Sequence, residues 1–294
     1  MTYKKIKYNF LYIFCIILIL TLFIYYFTRH IYFTETFQNN NPSYFITTLC
    51  IGDKFEPIRE HWQKRINEKT TNAEIVILDE TNMKELVDID DSNISRDDYA
   101  WWDIYRLKHN IQILQKYNIP VVHCDLDLII EKNITPIINM DYDMIISTEH
   151  YGANAMPKDC SSKLGFGLCT GFYILKPTCI DFIQQIYEHM LSKKYNSYSD
   201  QITLMNYITK HSDYTVTDEP IILEGSNVEF HNKIIYIDNI KICVLDFDLI
   251  TRDPIKNNNQ YGNHIHIENV GGTQNFIRFF YEQLENLPST TAYY

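Results

Sequence analysis

An α/β protein, with a sheet that begins parallel and turns mixed, is the fold this sequence predicts, and three observations predict it. From Ser43 onward, short apolar runs alternate with segments whose apolar residues recur every three to four positions. That order of strand, helix, strand, helix, strand requires crossover connections, and so parallel pairing with helices on both faces. The 46% hydrophobic and 21% charged residues are those of a chain that folds rather than staying disordered. The second half shows shorter, less regularly spaced strand signals with no internal repeat, which marks the point where the sheet becomes mixed.

The elements follow in order. Tyr44–Ile51 reads as a buried strand, and Phe55–Glu68 as a helix with Phe55, Ile58, Trp62 and Ile66 on one face. Ala73–Leu78 is a second strand, and an acidic loop covers Asp88–Asp98. A helix over Trp101–Tyr117 presents Ile104, Leu107, Ile111 and Leu114 together; Asn118-Ile119-Pro120 stops it, and Val121–Cys124 starts a buried strand. Beyond it, Asp143–Ile146, Phe172–Leu175, Ile234–Ile237 and Ile242–Leu245 have strand character. Pro177 opens a helix to Leu191, Ser199 caps one running through Ile208, and Thr273 caps a last amphipathic helix with Phe276, Phe279, Phe280, Leu284 and Leu287.

The N-terminus is different. Residues 8–27 carry no charge, and a helix of that length spans a hydrocarbon core of about 30 Å. Lys4, Lys5 and Lys7 precede it and Arg29 follows, so the positive-inside tendency keeps residues 1–7 in the cytoplasm and translocates the bulk. The run exceeds a signal-peptide core, and no small-residue cleavage site follows Phe27, which favours an uncleaved anchor. Residues 28–42, with Asn39-Asn40-Asn41-Pro42, read as a stem linker, residues 43–287 as the globular domain and 288–294 as a tail. The expected result is a single-pass type II membrane protein, its domain on the lumenal side of the ER, the Golgi or an equivalent endomembrane. The sequons Asn93-Ile94-Ser95 and Asn133-Ile134-Thr135 agree with that side.

A formal net charge of −11 argues against nucleic acid as a partner, since counterion displacement needs a basic face. It leaves anionic small substrates open, because a bound divalent cation reverses the local field. Seven cysteines form no Cys-x-x-Cys pair, which removes a cysteine zinc site; buried thiols are expected, with Cys160–Cys169 as the candidate bridge in an oxidising lumen. There is no dinucleotide fingerprint, P-loop, His-Glu-x-x-His or Gly-x-Ser-x-Gly.

The remaining chemistry is acidic. Four Asp-x-Asp triplets occur, at Asp88/Asp90, Asp125/Asp127, Asp141/Asp143 and Asp246/Asp248. The first lies in an acidic loop and the third in a turn. The fourth follows an apolar run and competes with the second. Asp125-Leu126-Asp127 stands out because a helix–strand unit leads into it and another apolar run follows. In an extended chain the two carboxylates face the same way, a ligand pair for a hard cation at the strand edge where open sheets hold ligands.

The stretch Tyr99–Ile130, YAWWDIYRLKHNIQILQKYNIPVVHCDLDLII, resembles the core of the nucleotide-diphospho-sugar transferases of the GT-A fold, in which a helix with a basic residue leads into a strand ending in Asp-x-Asp. Gly165–Pro177 is similar to their donor-sugar turn, although Cys169 stands where Asn is common, and Ser199-Asp200-Gln201 to their Asp-Gln helix start. His264 or His266 is similar to their C-terminal metal-ligating histidine; His266, nearer the Gly271-Gly272 turn, is favoured.

The resemblance, over roughly Tyr44 to Gly272, implies a Rossmann-type mixed sheet flanked by helices. It implies a metal-dependent glycosyltransferase (hexosyl or pentosyl) that moves a sugar from a nucleotide-sugar, commonly a UDP-sugar, to a glycan or glycoprotein acceptor. Mn²⁺ or Mg²⁺ would lie on Asp125, Asp127 and one histidine, the imidazole tilting the preference toward Mn²⁺. Asp125 would alternatively meet the ribose, Arg106 and Lys108 the diphosphate, Thr47 and Thr48 the nucleotide, Thr170 and Gly171 the donor sugar, and Asp200 the sugar or acceptor. Trp101 and Trp102 are candidates for stacking, with burial the simpler role. Two other classes share the carboxylate pair or the fold: a metal-dependent phosphohydrolase and a non-catalytic, membrane-tethered surface protein. The anchor is directly testable. The full-length chain is expected to stay with membranes through a carbonate wash, while a chain beginning near Asn41 is soluble and folded; full-length chain in the soluble fraction would refute the anchor.

Overall fold

The computed structural model describes residues 42–53, 55–98, 100–149, 157–224, 226–251 and 261–264, together with Leu20. The expected anchor, most of the stem, the last helix, the tail and His266 lie outside the described residues. Among the described residues no helix is long and apolar enough to cross a membrane. The chain divides into two units, Met1–Pro42 and Ser43–Tyr294.

In the second unit the strands are β1 (Tyr44–Cys50), β2 (Ala73–Asp79), β3 (Val121–Cys124), β4 (Leu128–Ile130), β5 (Met144–Glu149), β6 (Gly167–Leu175), β7 (Thr215–Ile222), β8 (Glu229–Ile237), β9 (Ile240–Val244), β10 (Ile250–Thr251) and β11 (Gly262–His264). The helices are α1 (Glu56–Lys69), α2 (Met83–Leu86), α3 (Trp101–Tyr117), α4 (Thr135–Ile138), α5 (Lys158–Leu164), α6 (Ile180–Leu191) and α7 (Asp200–Lys210), with a 3₁₀ turn at Pro177–Cys179. Eight strands form one sheet in the order β2-β1-β3-β6-β5-β9-β8-β7. β2, β1 and β3 are parallel, β6 runs antiparallel to both β3 and β5, and β8 pairs antiparallel with β9 and with β7. The sheet is therefore mixed: β2, β1 and β3 form its longest parallel run, and β5 and β9 form a second parallel pair.

Alternation along the strands sorts the residues between two faces. Ile46, Val122, Cys124, Phe172 and Ile174 join Ile58, Trp62 and Ile66 of α1 in one buried cluster. Residues one step along, such as Thr47, His123 and Tyr173, face α3. Helix α3 starts and stops where the periodicity places it, and Ile104, Leu107, Ile111 and Leu114 are all buried. Asn118 closes it in the left-handed conformation (φ 54°), donating its N–H to Leu114 O. The same helix also buries Arg106, His109 and Asn110.

A small second sheet, β10-β11-β4, is laid against the first cluster. Arg65 of α1 holds it, donating from Nε to Ile130 O (2.7 Å) and pairing with Glu131 (2.9 Å). β11 runs antiparallel to β4 with His264 opposite Leu128. Gly262 permits this approach, because a Cβ there would lie 3.1 Å from Ile250 Cδ1 and 3.4 Å from Ile129 O. The six described cysteines are buried thiols, with no disulfide between Cys160 and Cys169.

Burial of α3 generates a pH prediction. Burial drives His109 down to about 4, and its Nδ1 has no hydrogen-bond partner among the described residues. An unfolded chain therefore takes up this proton first, from about pH 6.5. The stability that neutral His109 contributes is full above that pH and lost as pH falls toward 4, a change of about 3 kcal/mol. Urea unfolding at pH 7 and pH 4.5 is expected to show a smaller acid loss for His109→Leu than for the wild type.

Candidate active site

The site forms at the carboxyl ends of β1 and β3, beside the amino-terminal half of the antiparallel β6. β3 stops at Cys124, and the chain then turns: Leu128 N–H donates to Asp125 O at 3.0 Å. The extended geometry expected for Asp125-Leu126-Asp127 is thus corrected, since apolar Leu126 is drawn into the core, 2% exposed, and the chain bends to bury it. Asp125 N–H donates to Gly171 O (2.8 Å), and the Trp62 indole donates to Asp125 O (3.2 Å), so β6 and α1 both hold the turn. The Asp125 side chain is about one-third exposed at 32%, and Asp127 is buried.

Arg106 is the hub beneath this turn. Its Nη2 donates to Asp200 Oδ2 (2.6 Å) and meets Asp103 Oδ1 (3.0 Å), and Nη1 donates to Asp125 Oδ1 (3.3 Å). Nη1 is also 3.1 Å from His123 Nε2, which is 3.0 Å from the same Asp125 oxygen. Burial works against the guanidinium charge, but Asp103, Asp200 and Asp125 outweigh it and hold Arg106 protonated well above its ordinary range. Burial and Arg106 together push His123 down, toward the neutral imidazole. Burial raises Asp103, with Asp200 and Asp125 adding to the rise against the pull of Arg106. The network continues inward. His123 Nδ1 is 3.4 Å from Thr47 Oγ1, Thr47 donates to Asn110 Oδ1 (2.9 Å), and Asn110 Nδ2 donates to Tyr173 OH (2.9 Å). The Tyr173 ring stacks on His123 at 5.0 Å.

β6 supplies the opposite wall. Its register against β5 jumps, Ile146 pairing with Tyr173 and Ser147 with Cys169, so Thr170, Gly171 and Phe172 bulge out of the ladder. The Ser147 hydroxyl lies 3.0 Å from Cys169 O and 3.2 Å from Phe172 O and closes the bulge. Thr170 N–H donates to the Gln201 side chain (3.3 Å), and Ser199 caps α7 by accepting from Ile202 N–H. Ser199-Asp200-Gln201 therefore serves cap, guanidinium and bulge in turn.

Of the residues singled out in the sequence, the structure brings Asp125, Arg106, Asp200, Thr170, Gly171 and Thr47 together. Thr47 turns its hydroxyl into the buried network. Thr48 faces the other side of the sheet, its Oγ1 buried with no partner among the described residues. Lys108 is not brought to the site: two positions past Arg106, it points away round the helix and its ammonium lies 5.4 Å over the Tyr187 ring. Trp101 is buried and stacks on Trp102. The backbone of His264 lies opposite Leu128, one residue beyond Asp127.

The rival triplets serve turns. Asp246 accepts from the His231 (2.7 Å) and Asp248 (3.0 Å) N–H groups, Asp143 from Thr178 Oγ1 (2.5 Å) and Lys241 N–H (2.8 Å), and Asp90 from Ser92 N–H (3.0 Å). Among the described residues no three His, Cys, Asp or Glu side chains form a ready-made metal cluster. Asp103, Asn110, His123 and Tyr173 were missed in the sequence. The available signal was polar residues on the buried faces of an otherwise apolar helix and strands.

Fold and site define a mixed α/β protein with a largely buried charged cluster at the carboxyl edge of its parallel strands, where open sheets take ligands. The family model of nucleotide-diphospho-sugar transferases matches residues 61–263, more than half of the chain, and the chain belongs to that family. No curated protein matches it by sequence. Among solved structures it is similar to the glycosyltransferase GlyE of Streptococcus pneumoniae TIGR4, at 13% identity and TM-score 0.38 over 57% of this chain and 44% of that one. The apo form of GlyE matches at 10% and 0.46 over 83% and 62%. Mouse xyloside xylosyltransferase 1 matches at 11% and 0.44 over 76% and 98%. The chain thus spans less than two-thirds of either GlyE structure, and likenesses this distant carry no argument of their own.

The ionic hub makes a stability prediction. Arg106→Met leaves the Asp200 carboxylate, 4% exposed, without its guanidinium, and is expected to cost about 3–5 kcal/mol in urea unfolding. Arg106→Met/Asp200→Asn is expected to recover a large part of that loss.

Proposed function

We propose that this chain transfers a sugar from a nucleotide-diphospho-sugar, a UDP-sugar foremost, to a glycan or glycoprotein acceptor. It does so with Mn²⁺ or Mg²⁺ held by Asp125, Asp127 and His266 or His264. The observation that supports it most is the meeting of four separate segments at one strand edge: the Asp125–Asp127 turn, Arg106 of α3, the Thr170-Gly171 bulge and the Asp200-Gln201 helix start.

The donor set suits a hard cation. Two carboxylates lie on one short turn, and the β4–β11 pairing carries the backbone of His264 alongside it. When bound, the metal would neutralise charge developing on the departing diphosphate as a Lewis acid.

The chain's own residues do the remaining work. Arg106 holds the Asp125 and Asp200 carboxylates in place, so neither has to reorganise when substrate arrives. The bulge brings Thr170 and Gly171 out of the β5 ladder and against Asp125, whose N–H Gly171 O accepts, and Gln201 steadies it. Neutral His123 and Thr47 support Asp125 from below. On this reading Thr48, buried on the other face of the sheet, does not meet the nucleotide, and Lys108 lies too far round its helix to meet the diphosphate. Residues 8–27 anchor the chain with this domain on the lumenal side of an endomembrane.

A panel of nucleotide-sugars with Mn²⁺ tests the reaction. Free nucleoside diphosphate is the expected product; phosphate alone would point to a hydrolase, and neither turnover nor binding to a surface protein. Calorimetry with UDP and Mn²⁺ tests the site. Asp125→Asn or Asp127→Asn is expected to abolish metal-dependent binding, with Asp246→Asn and Asp248→Asn close to wild type; the reverse pattern means the wrong carboxylates were chosen. His264→Ala/His266→Ala is expected to weaken Mn²⁺ binding, and unchanged affinity removes both histidines from the site.

A further inference from the structure

We propose that Ser147 is a positioning residue for sugar transfer, its hydroxyl holding the Thr170–Phe172 bulge of β6 in the shape that sets Thr170 and Gly171 beside Asp125. The inference rests on the transferase reading above, with Thr170 and Gly171 next to the donor sugar, and adds a residue which that reading does not use. β5 and β6 pair residue for residue from Met144 and Leu175 to Ile146 and Tyr173, and the pairing resumes at Ser147 and Cys169. One step along β5 therefore faces four along β6, and Thr170, Gly171 and Phe172 have no ladder partner on that side.

Ser147 fills the gap with its side chain. Its Oγ lies 3.0 Å from Cys169 O, where the bulge begins, and 3.2 Å from Phe172 O, where it ends. One hydroxyl thus spans both ends. Ser147 is 1% exposed, Cys169 2% and Phe172 0%, so bulk water cannot take its place. The preceding residues of the strand, Met144, Ile145 and Ile146, are apolar and buried. A hydroxyl in such a strand is costly unless it is bonded, and both of its acceptors belong to the bulge.

The other ties on the bulge come from elsewhere. Gly171 O accepts the Asp125 N–H (2.8 Å) from the β3 side, Thr170 N–H donates to Gln201 of α7 (3.3 Å), and Gly171 N–H meets Cys169 Sγ (3.4 Å) within β6 itself. Ser147 supplies the tie from the β5 side. The Asp125 turn has supports that do not pass through the bulge: the Trp62 indole on Asp125 O and Arg106 on its carboxylate. Loss of the hydroxyl is therefore expected to disturb the sugar half of the donor and to spare the metal and nucleotide half. A general weakening of the fold would affect both. Rates are sensitive to such placement, a displacement of about 1 Å costing on the order of a hundredfold.

Two measurements on the full-length chain test this: calorimetric affinity for UDP with Mn²⁺, and release of UDP from the UDP-sugar that the wild type turns over fastest. Ser147→Ala is expected to keep UDP affinity and KM within about threefold of wild type and to lower kcat about 10- to 100-fold. Ser147→Thr keeps the hydroxyl and is expected to restore kcat to within about threefold.

An Ala variant with wild-type kcat would overturn the proposal. So would an Ala variant that loses UDP affinity as steeply as kcat, since that is damage to the fold, or a Thr variant that binds UDP normally yet is as slow as Ala. If the Ala variant does not fold, Ser147→Cys, which keeps a weaker donor in the same place, is read by the same two measurements. A wild-type chain that turns over no nucleotide-sugar fails the transferase reading itself and takes this inference with it. An active wild type with an indifferent Ser147→Ala variant fails the inference alone.

Discussion

A guanidinium buried among helices and strands has to be surrounded by carboxylates and hydrogen-bond acceptors, and Arg106 imposes that requirement on the whole upper edge of this sheet. Its partners come from three places in the chain: Asp103 one turn earlier on the same helix, Asp125 at the end of β3, and Asp200 at the start of α7. Each must arrive within hydrogen-bond distance or the charge is left uncompensated. The requirement therefore couples the position of α3 to the exit of a central strand and the entry of a later helix. The bulge in β6 belongs to the same assembly, since Gly171 receives the Asp125 N–H and Thr170 donates to Gln201.

The sheet divides its labour between faces. Toward α1 the residues of β1, β3 and β6 are apolar and merge with the small β10-β11-β4 sheet into one core. Toward α3 the same strands carry Thr47, His123 and Tyr173, which join Asn110 in a buried polar chain. Such a chain is worth having only when its members are satisfied, and here each link has a named partner. It ends on Asp125, so the polar side of the sheet leads from the interior to the site. The apolar side carries the mechanical load, with Trp62 and Arg65 of α1 holding the turn and β4.

Much of this was legible in the sequence. Helix α3 and strand β3 lie at their expected residues, because strong periodicity, a proline stop and a β-branched run all agreed there. The Ser199 cap and the Asp-Gln that follows were readable for the same local reason. The strand β7 was not. Its residues, TVTDEPII, are mostly exposed at the sheet edge, so no burial pattern marks them, and Pro220 and two acidic residues disguise them further. The start of β6 was also missed, because Thr170-Gly171 belongs to a bulge that only cross-strand register reveals.

By itself the sequence determined the class of fold, the order of the elements from β1 to β3, and the family. These follow from local patterns, namely period, caps and the context of a motif. Only the tertiary structure decided that Asp125–Asp127 is a turn rather than a strand, that Lys108 faces away from Arg106, and that Asp246, Asp143 and Asp90 serve turns. It alone revealed Asp103, Asn110 and His123 as partners of the site. The physical reason is that a buried charge chooses its partners by distance in space, and residues 103, 125 and 200 meet only after the sheet and its helices have packed.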